Sequence, residues 1–303
     1  MSLRSLFPMG YARQWLGLKE IRLMDIVKNI LTVDVEECFH RNDFPLSRQQ
    51  RDFLGSRVME QTERVVSLLK AYGQSGTFFV LGEVAELYPQ LVKGLAREGF
   101  EVALHGYHHR LVYEQKEEEF RHELQKAKVL LERIAEEEII GFRAPSWSIT
   151  ERSLWALKIL ADMGFRYDSS ILPAKAYLGG IPGSYPWIHK REEAEIIEVP
   201  PSVMVIGKLR LPFSGGLYFR TLPYNFIKFC IKKMNKKGFP SVVYLHPWEL
   251  DPELPRLGLD WRGRFALYHN LGKVQAKVER LLGEFSFGPV CEVLADADSF
   301  CRS

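Results

Sequence analysis

The chain of 303 residues contains no apolar run close to the roughly 18 residues needed to cross a bilayer, so a membrane-spanning helix is not expected. Cysteine is scarce. Cys38, Cys230, Cys291 and Cys301 form no C-x-x-C pair and no regular framework, which argues against a disulfide scaffold and for ordinary thiols. An excess of one charge is also missing. Lys and Arg total 41 against 38 for Asp and Glu, and the formal charge of +3 is dispersed, so neither nucleic acid nor a membrane surface is an expected partner. Repeats, low-complexity tracts and linker-like composition are absent, which favours one domain. Arg4, Arg13, Lys19, Glu20 and Arg22 interrupt any secretory hydrophobic region, so the expected location is cytoplasmic. Residues 1–28 read as an N-terminal extension or a misassigned start, with Met24 an alternative first residue. A single domain is expected over 29–303.

What the chain does contain is short apolar runs alternating with amphipathic stretches, the pattern of βα repetition. Strands are expected at Ile30–Val33, Thr77–Val80, Phe100–Leu104, Ile139–Phe142, Phe165–Tyr167, Ile196–Val199, Val203–Ile206 and Ser241–Leu245. Helices are expected where apolar residues recur at helical spacing: Val58–Leu69, Val84–Leu95, Lys116–Glu136, Ser153–Met163, Pro223–Asn235 and Val274–Leu282. A long loop covers 172–195, punctuated by Pro173, Gly179, Gly180, Pro182 and Gly183, and a last strand lies near Val290–Leu294.

Each unusual polar cluster directly follows one of these strands. Asp34-Val-Glu-Glu37 follows the first, His105-Gly-Tyr-His-His109 the third, Arg143 the fourth, Asp168 the fifth and His246 the run Ser241–Leu245. In β/α barrels the C-terminal strand ends share one face and that face carries the chemistry, so five clusters distant in sequence converge. His105 and His109 are four apart, and one helical turn would point both imidazoles the same way. With a nearby carboxylate they form a two-nitrogen, one-oxygen set that leaves coordination positions open on a catalytic divalent ion. His108 would point away. The neighbouring carboxylates resist full ionisation unless a cation compensates, so one can bind metal while another takes a proton from water. N-capping of the next segment is the plainer reading of these acids. Arg143 is an always-charged fork suited to fixing a carboxylate.

These residues carry a resemblance. From about Leu31 to Leu250 the chain resembles the polysaccharide deacetylases of the NodB-homology type, carbohydrate esterase family four. The matching phrases are T-F-F-V-L-G (77–82), R-E-G-F-E-V-A-L-H-G (97–106), His105-x-x-x-His109, Arg143-Ala-Pro-Ser-Trp147, Asp168-Ser-Ser170 and Leu245-His246-Pro247. Thr32-Val-Asp-Val-Glu-Glu37, Gly215-Gly-Leu-Tyr-Phe-Arg220 and the tail after Trp261 resemble a narrower branch associated with bacterial exopolysaccharide and protein-sorting loci. The resemblance implies an α/β fold, a distorted (β/α) barrel of about seven strands with a C-terminal extension. It also implies removal of N-acetyl groups from amino sugars with a divalent metal, most simply zinc. The family has two adjacent aspartates, base then ligand, whereas here Val35 stands in the ligand position. The base role therefore falls to Asp34 and the ligand role to Glu36 with His105 and His109, Glu37 being the reserve. His246 becomes the acid that protonates the leaving amine, held charged by Asp168, and Arg143 fixes Asp34. Trp147, Tyr218, Trp248 and Trp187 are candidate stacking partners for sugar rings. Two alternatives remain: a small-molecule amidohydrolase of the allantoinase kind on the same fold, and an inactive glycan-binding module.

Overall fold

A computed structural model describes residues 27–297. The expected N-terminal extension lies almost wholly outside the described residues, as does Cys301. The first strand, β1 (Asn29–Val35), is buried along its whole length, which a parallel strand covered on both faces requires. It pairs in parallel with β2 (Thr77–Val80), followed by β3 (Glu101–Leu104), β4 (Gly141–Phe142), β5 (Tyr167–Asp168) and β7 (Ile196–Glu198). On its other side it pairs with β10 (Val242–Leu245). β6 (His189–Arg191) closes the far edge antiparallel to β7. Seven parallel strands in the order β10-β1-β2-β3-β4-β5-β7 form the curled half-barrel expected of the fold class.

The gap between β7 and β10 is bridged by irregular backbone. Ser202 N donates to Val242 O (3.1 Å), Val242 N to Ser202 Oγ (2.8 Å) and Tyr244 N to Ser214 O (3.0 Å). A short hairpin, β8 (Val203–Ile206) with β9 (Leu209–Pro212), stands outside the main sheet.

The helices form where apolar spacing predicts them. Val58–Ala71 buries Val58, Thr62, Val65 and Leu69, and Glu117–Ala135 buries Phe120, Leu124, Ala127 and Leu131. Its acidic triplet, Glu117 to Glu119, is the first turn, where negative charge meets the positive end of the helix dipole. Each fully buried apolar side chain of this kind stabilises by about 1.5–3 kcal/mol.

Four local expectations are corrected. The helix expected over Val84–Leu95 is two, Gly82–Leu87 and Pro89–Arg97, because Pro89 has no N–H to continue the first and a backbone suited to starting the second. The run near Val290–Leu294 is a helix, Val290–Ala297, and the strand is β11 (Phe287–Gly288) just before it; an apolar run this short does not reveal its period. β11 pairs with β1 in parallel, so the C-terminal extension is woven into the sheet. The helix Arg48–Leu54 was missed, although Ser47 and Gln50 cap it reciprocally (3.3 and 2.9 Å). The helix Trp261–Tyr268 was missed too, with Asp260 accepting from Gly263 N at 2.7 Å.

Phe120 packs edge-on against both Phe142 and Trp155, at 5.9 and 5.5 Å between ring centroids. Phe120→Ala should lower unfolding stability by about 3–5 kcal/mol, read as a fall in the urea midpoint with unchanged slope.

Candidate active site

Side chains alternate along a strand, so Asp34 and Glu36 leave the end of β1 on one side and Val35 on the other, where it joins the core. A carboxylate at 35 would face away from the barrel mouth, which accounts for the acid lying two residues on. Arg143, just past β4, is completely buried. Its Nη1 donates to Asp34 Oδ1 (2.7 Å) and Thr32 Oγ1 (2.8 Å). Nη2 donates to Ser169 Oγ (2.8 Å) and Nε to Ser169 O (3.2 Å). A buried guanidinium is tolerable only when its donors are taken up in this way.

His105 and His109 do meet, but through a loop. Gly106 (φ +84°) and His109 (φ +56°) both adopt the left-handed region, so the turn is not helical as the spacing suggested. His105 Nδ1 donates to the Arg143 carbonyl (2.8 Å), which leaves Nε2 as a lone-pair donor 3.6 Å from Glu36 Oε2. His109 Nε2 lies 2.7 Å from the same oxygen. Burial alone would push the Glu36 carboxyl up, but the charge that His109 carries when protonated and the closeness of both imidazoles outweigh it and hold it well below the usual range. Burial pushes the His109 imidazole down, toward the neutral form that ligates metal. Ligand atoms of Glu36, His105 and His109 all lie within 4.8 Å of one another. Glu36 Oε2 has no hydrogen bond of good geometry among the described residues. Two imidazole nitrogens and an orphaned carboxylate oxygen fit a divalent ion such as zinc.

Glu37, the reserve ligand, is spent elsewhere: its Oε1 accepts from Ser56 Oγ (2.6 Å), Arg57 N (2.9 Å) and Val58 N (3.0 Å), capping the helix Val58–Ala71. His108 turns outward to Glu83 (3.0 Å), as expected.

His246 follows β10. Its Nε2 is 3.9 Å from Asp34 Oδ2 and 3.8 Å from Glu36 Oε1. Its Nδ1 partner is Glu249 (3.0 Å), not Asp168. β5, which carries Asp168, sits among β4 and β7, on the opposite side of the sheet order from β10. Glu249 is in turn 2.9 Å from the buried Arg220. Burial would lower the His246 pKa, yet Glu249, then Glu36 and Asp34, outweigh it and raise it to about 9. Glu249 and Arg220 escaped the sequence reading. The available signal was the i, i+3 spacing in His246-Pro-Trp-Glu249, which lets the acid fold back on the ring.

Asp168 instead pairs with Glu198 at the end of β7 and accepts from Ser170 N (3.3 Å). Burial pushes both carboxyls up, Asp168 to about 6 and Glu198 well above its usual value, so the pair retains a proton.

Of the aromatic candidates, Trp147, Tyr218 and Trp248 line a cavity of about 200 Å³ together with Asp34, Glu36 and His246. Tyr218 is 40% exposed. Trp248 is 2% exposed and stacks on His246 at 5.6 Å, so it supports the imidazole at the wall of the same cavity. Trp187 stacks on Phe239 away from this cavity. A second cavity of about 430 Å³ adjoins the first, sharing His109 and Arg41.

Comparison with known proteins is consistent with this architecture. Residues 55–167 match the family model for polysaccharide deacetylase, and residues 169–295 match a domain of unknown function, DUF3473. A peptidoglycan-N-acetylglucosamine deacetylase of Bacillus cereus is 35% identical over 99 residues, 32% of this chain and 36% of that protein. The chain spans about a third of the length of the curated relatives it matches. A polysaccharide deacetylase structure from Mycobacterium smegmatis superposes with a TM-score of 0.59 at 18% identity, covering 91% of this chain and 92% of that one. An allantoinase superposes equally well, at 0.60 and 14% identity over 89% of each chain, so the fold alone does not choose between the two chemistries. The chain carries a polysaccharide deacetylase domain of the NodB-homology, carbohydrate esterase family four type. The match over 169–295 is consistent with the exopolysaccharide-associated branch. No helix among the described residues is long and apolar enough to cross a membrane.

The Asp168–Glu198 pair predicts a pH signature. Carboxyl pKa values raised by folding contribute stability that is complete below about pH 4 and is lost as pH rises through the folded values. Glu198→Gln, which keeps a proton-bearing partner without the second charge, should flatten the fall of Tm as pH rises above about 6. A wild-type slope retained in the variant refutes the shared proton.

Proposed function

We propose that this chain is a metal-dependent hydrolase that removes N-acetyl groups from amino sugars of a polysaccharide or its precursor. Glu36, His105 and His109 would hold the ion, zinc being the best match to two imidazoles and a carboxylate. When bound, such an ion lowers the pKa of a coordinated water and polarises the acetamide carbonyl. Asp34, oriented by Arg143, takes a proton from the water as the water oxygen attacks the acetyl carbon. His246, kept cationic by Glu249, gives its proton to the sugar nitrogen as the C–N bond breaks. The products are acetate and a free amine. An amine leaves poorly unless protonated, so an acid opposite the base is needed.

The observation that carries this reading is the opposition of Asp34 Oδ2 and His246 Nε2 at 3.9 Å, beside the Glu36–His105–His109 group. The two adjoining cavities favour an extended chain over a small cyclic amide, for which one closed pocket would suffice. A module that only binds glycans would have no use for a base and an acid in opposition.

Asp34→Asn and His246→Ala should each lower kcat on N-acetylated oligosaccharides by at least about 100-fold in protein that remains folded by circular dichroism, Asp34→Asn also lowering Tm because Arg143 loses its buried counter-charge. Acetate released from such sugars but not ring opening of cyclic amides is the expected result; the reverse refutes deacetylation. The double variant His105→Ala/His109→Ala should purify without the stoichiometric metal that the wild type carries, as measured by plasma emission. Full metal content there would remove those imidazoles from the ligand set.

Glu249→Gln should move the alkaline limb of kcat/KM to lower pH. His246 acts as the protonated form, activity falls as pH rises through its pKa, and the Glu249 charge is what raises that pKa most. A limb that does not move assigns Glu249 a purely structural part.

A further inference from the structure

Outside the reacting cavity lies a trough of about 710 Å³ between the loop 256–259 and the helix Trp261–Tyr268. It combines two features that seldom share an idle surface. Trp261 is 73% and Phe265 43% exposed, Phe265 stacking one face on His269 at 4.4 Å and Trp261 carrying Arg262 at 5.3 Å, which leaves much of both rings in solvent. Arg256 and Arg264 line the same trough, no carboxylate does, and among the described residues neither arginine has a carboxylate within 4.0 Å. Asp260, the nearest acid in sequence, is engaged in capping Gly263 N. Arg256 is held in place over the Tyr268 ring at 4.3 Å.

Aromatic faces take the apolar side of a sugar ring, and a guanidinium fork takes a carboxylate. We propose that this trough binds a carboxylate-bearing stretch of the glycan, so that the polymer acted upon is acidic as well as N-acetylated. The inference rests on the deacetylase reading for the identity of the chain as substrate. The anchoring of the trough supports it. The helix forming one wall is moored by Arg220, which donates to Ala266 O (2.7 Å) and Leu267 O (3.1 Å), and by Arg41, which donates to Ala266 O (2.8 Å). Both arginines line the reacting cavity. An anionic membrane also attracts tryptophan and arginine, and the vesicle measurement below separates it from a glycan.

The test compares hyaluronan oligosaccharides, which alternate N-acetylglucosamine with glucuronic acid, with chitin oligosaccharides of equal length by calorimetry. The wild type is compared with W261A/R264A, whose two side chains are exposed and take no part in the reaction. The expected result is that the acidic chain binds the wild type about tenfold tighter, that added salt erodes the difference, and that the double variant brings the two within about twofold. Acetate release from a chitin trimer should be unchanged in the variant. Equal affinity in the wild type overturns the proposal, as does a preference that survives the double substitution. Binding to anionic vesicles that the variant loses, without any oligosaccharide preference, also overturns it in favour of a membrane. A preference that holds in a protein releasing no acetate from any sugar upholds the trough and sinks the deacetylase reading instead.

Discussion

One guanidinium ties together the parts of the site that come from different strands. Arg143 has no contact with water, so every donor it carries must find an acceptor within the protein. Those acceptors are Thr32 and Asp34 on β1 and Ser169 beyond β5, while its own carbonyl receives the proton of His105. The buried charge therefore fixes the carboxylate that would act as base, and the backbone carbonyl of the same residue fixes the tautomer of one imidazole that would bind metal. Breaking such a pair from one side costs about 3–5 kcal/mol, because the remaining charge stays buried and unmatched. The positions of Asp34 and His105 are thus held by the same energy that holds the barrel mouth together.

A second buried network works from the other side of the cavity. Glu249 lies between His246 and Arg220, and Arg220 reaches the carbonyls that end the helix Trp261–Tyr268. Through this chain the C-terminal segment bears on the imidazole that faces Asp34. β11 adds to the connection by pairing with β1 itself. The region matching the polysaccharide deacetylase model and the region beyond it share one continuous sheet, with residues on both sides of the boundary lining one cavity.

Much of this was legible beforehand because strand ends are easy to find. Short β-branched and aromatic runs marked the parallel strands, and the polar residue after each run marked the face where they converge. Asp34, Glu36, His105, His109, Arg143 and His246 were located in that way. What failed was pairing. Asp168 was matched to His246 on the family pattern, whereas the order of the strands gives it Glu198 as a neighbour and gives His246 to Glu249. Glu37 was kept as a ligand because sequence does not say which of two adjacent acids turns toward a helix N-terminus.

By itself, the sequence determined the alternation of strand and helix, the parallel sheet and the set of ionisable groups at its C-terminal edge. These follow from periodicity and from the cost of burying polar groups, both of which are local. Only the tertiary structure decided which groups touch. A hydrogen bond spans about 3 Å while its partners lie 109 residues apart for Arg143 and Asp34 and 225 for Arg41 and Ala266, and which partners meet is set by sheet order and curl, which no local pattern encodes.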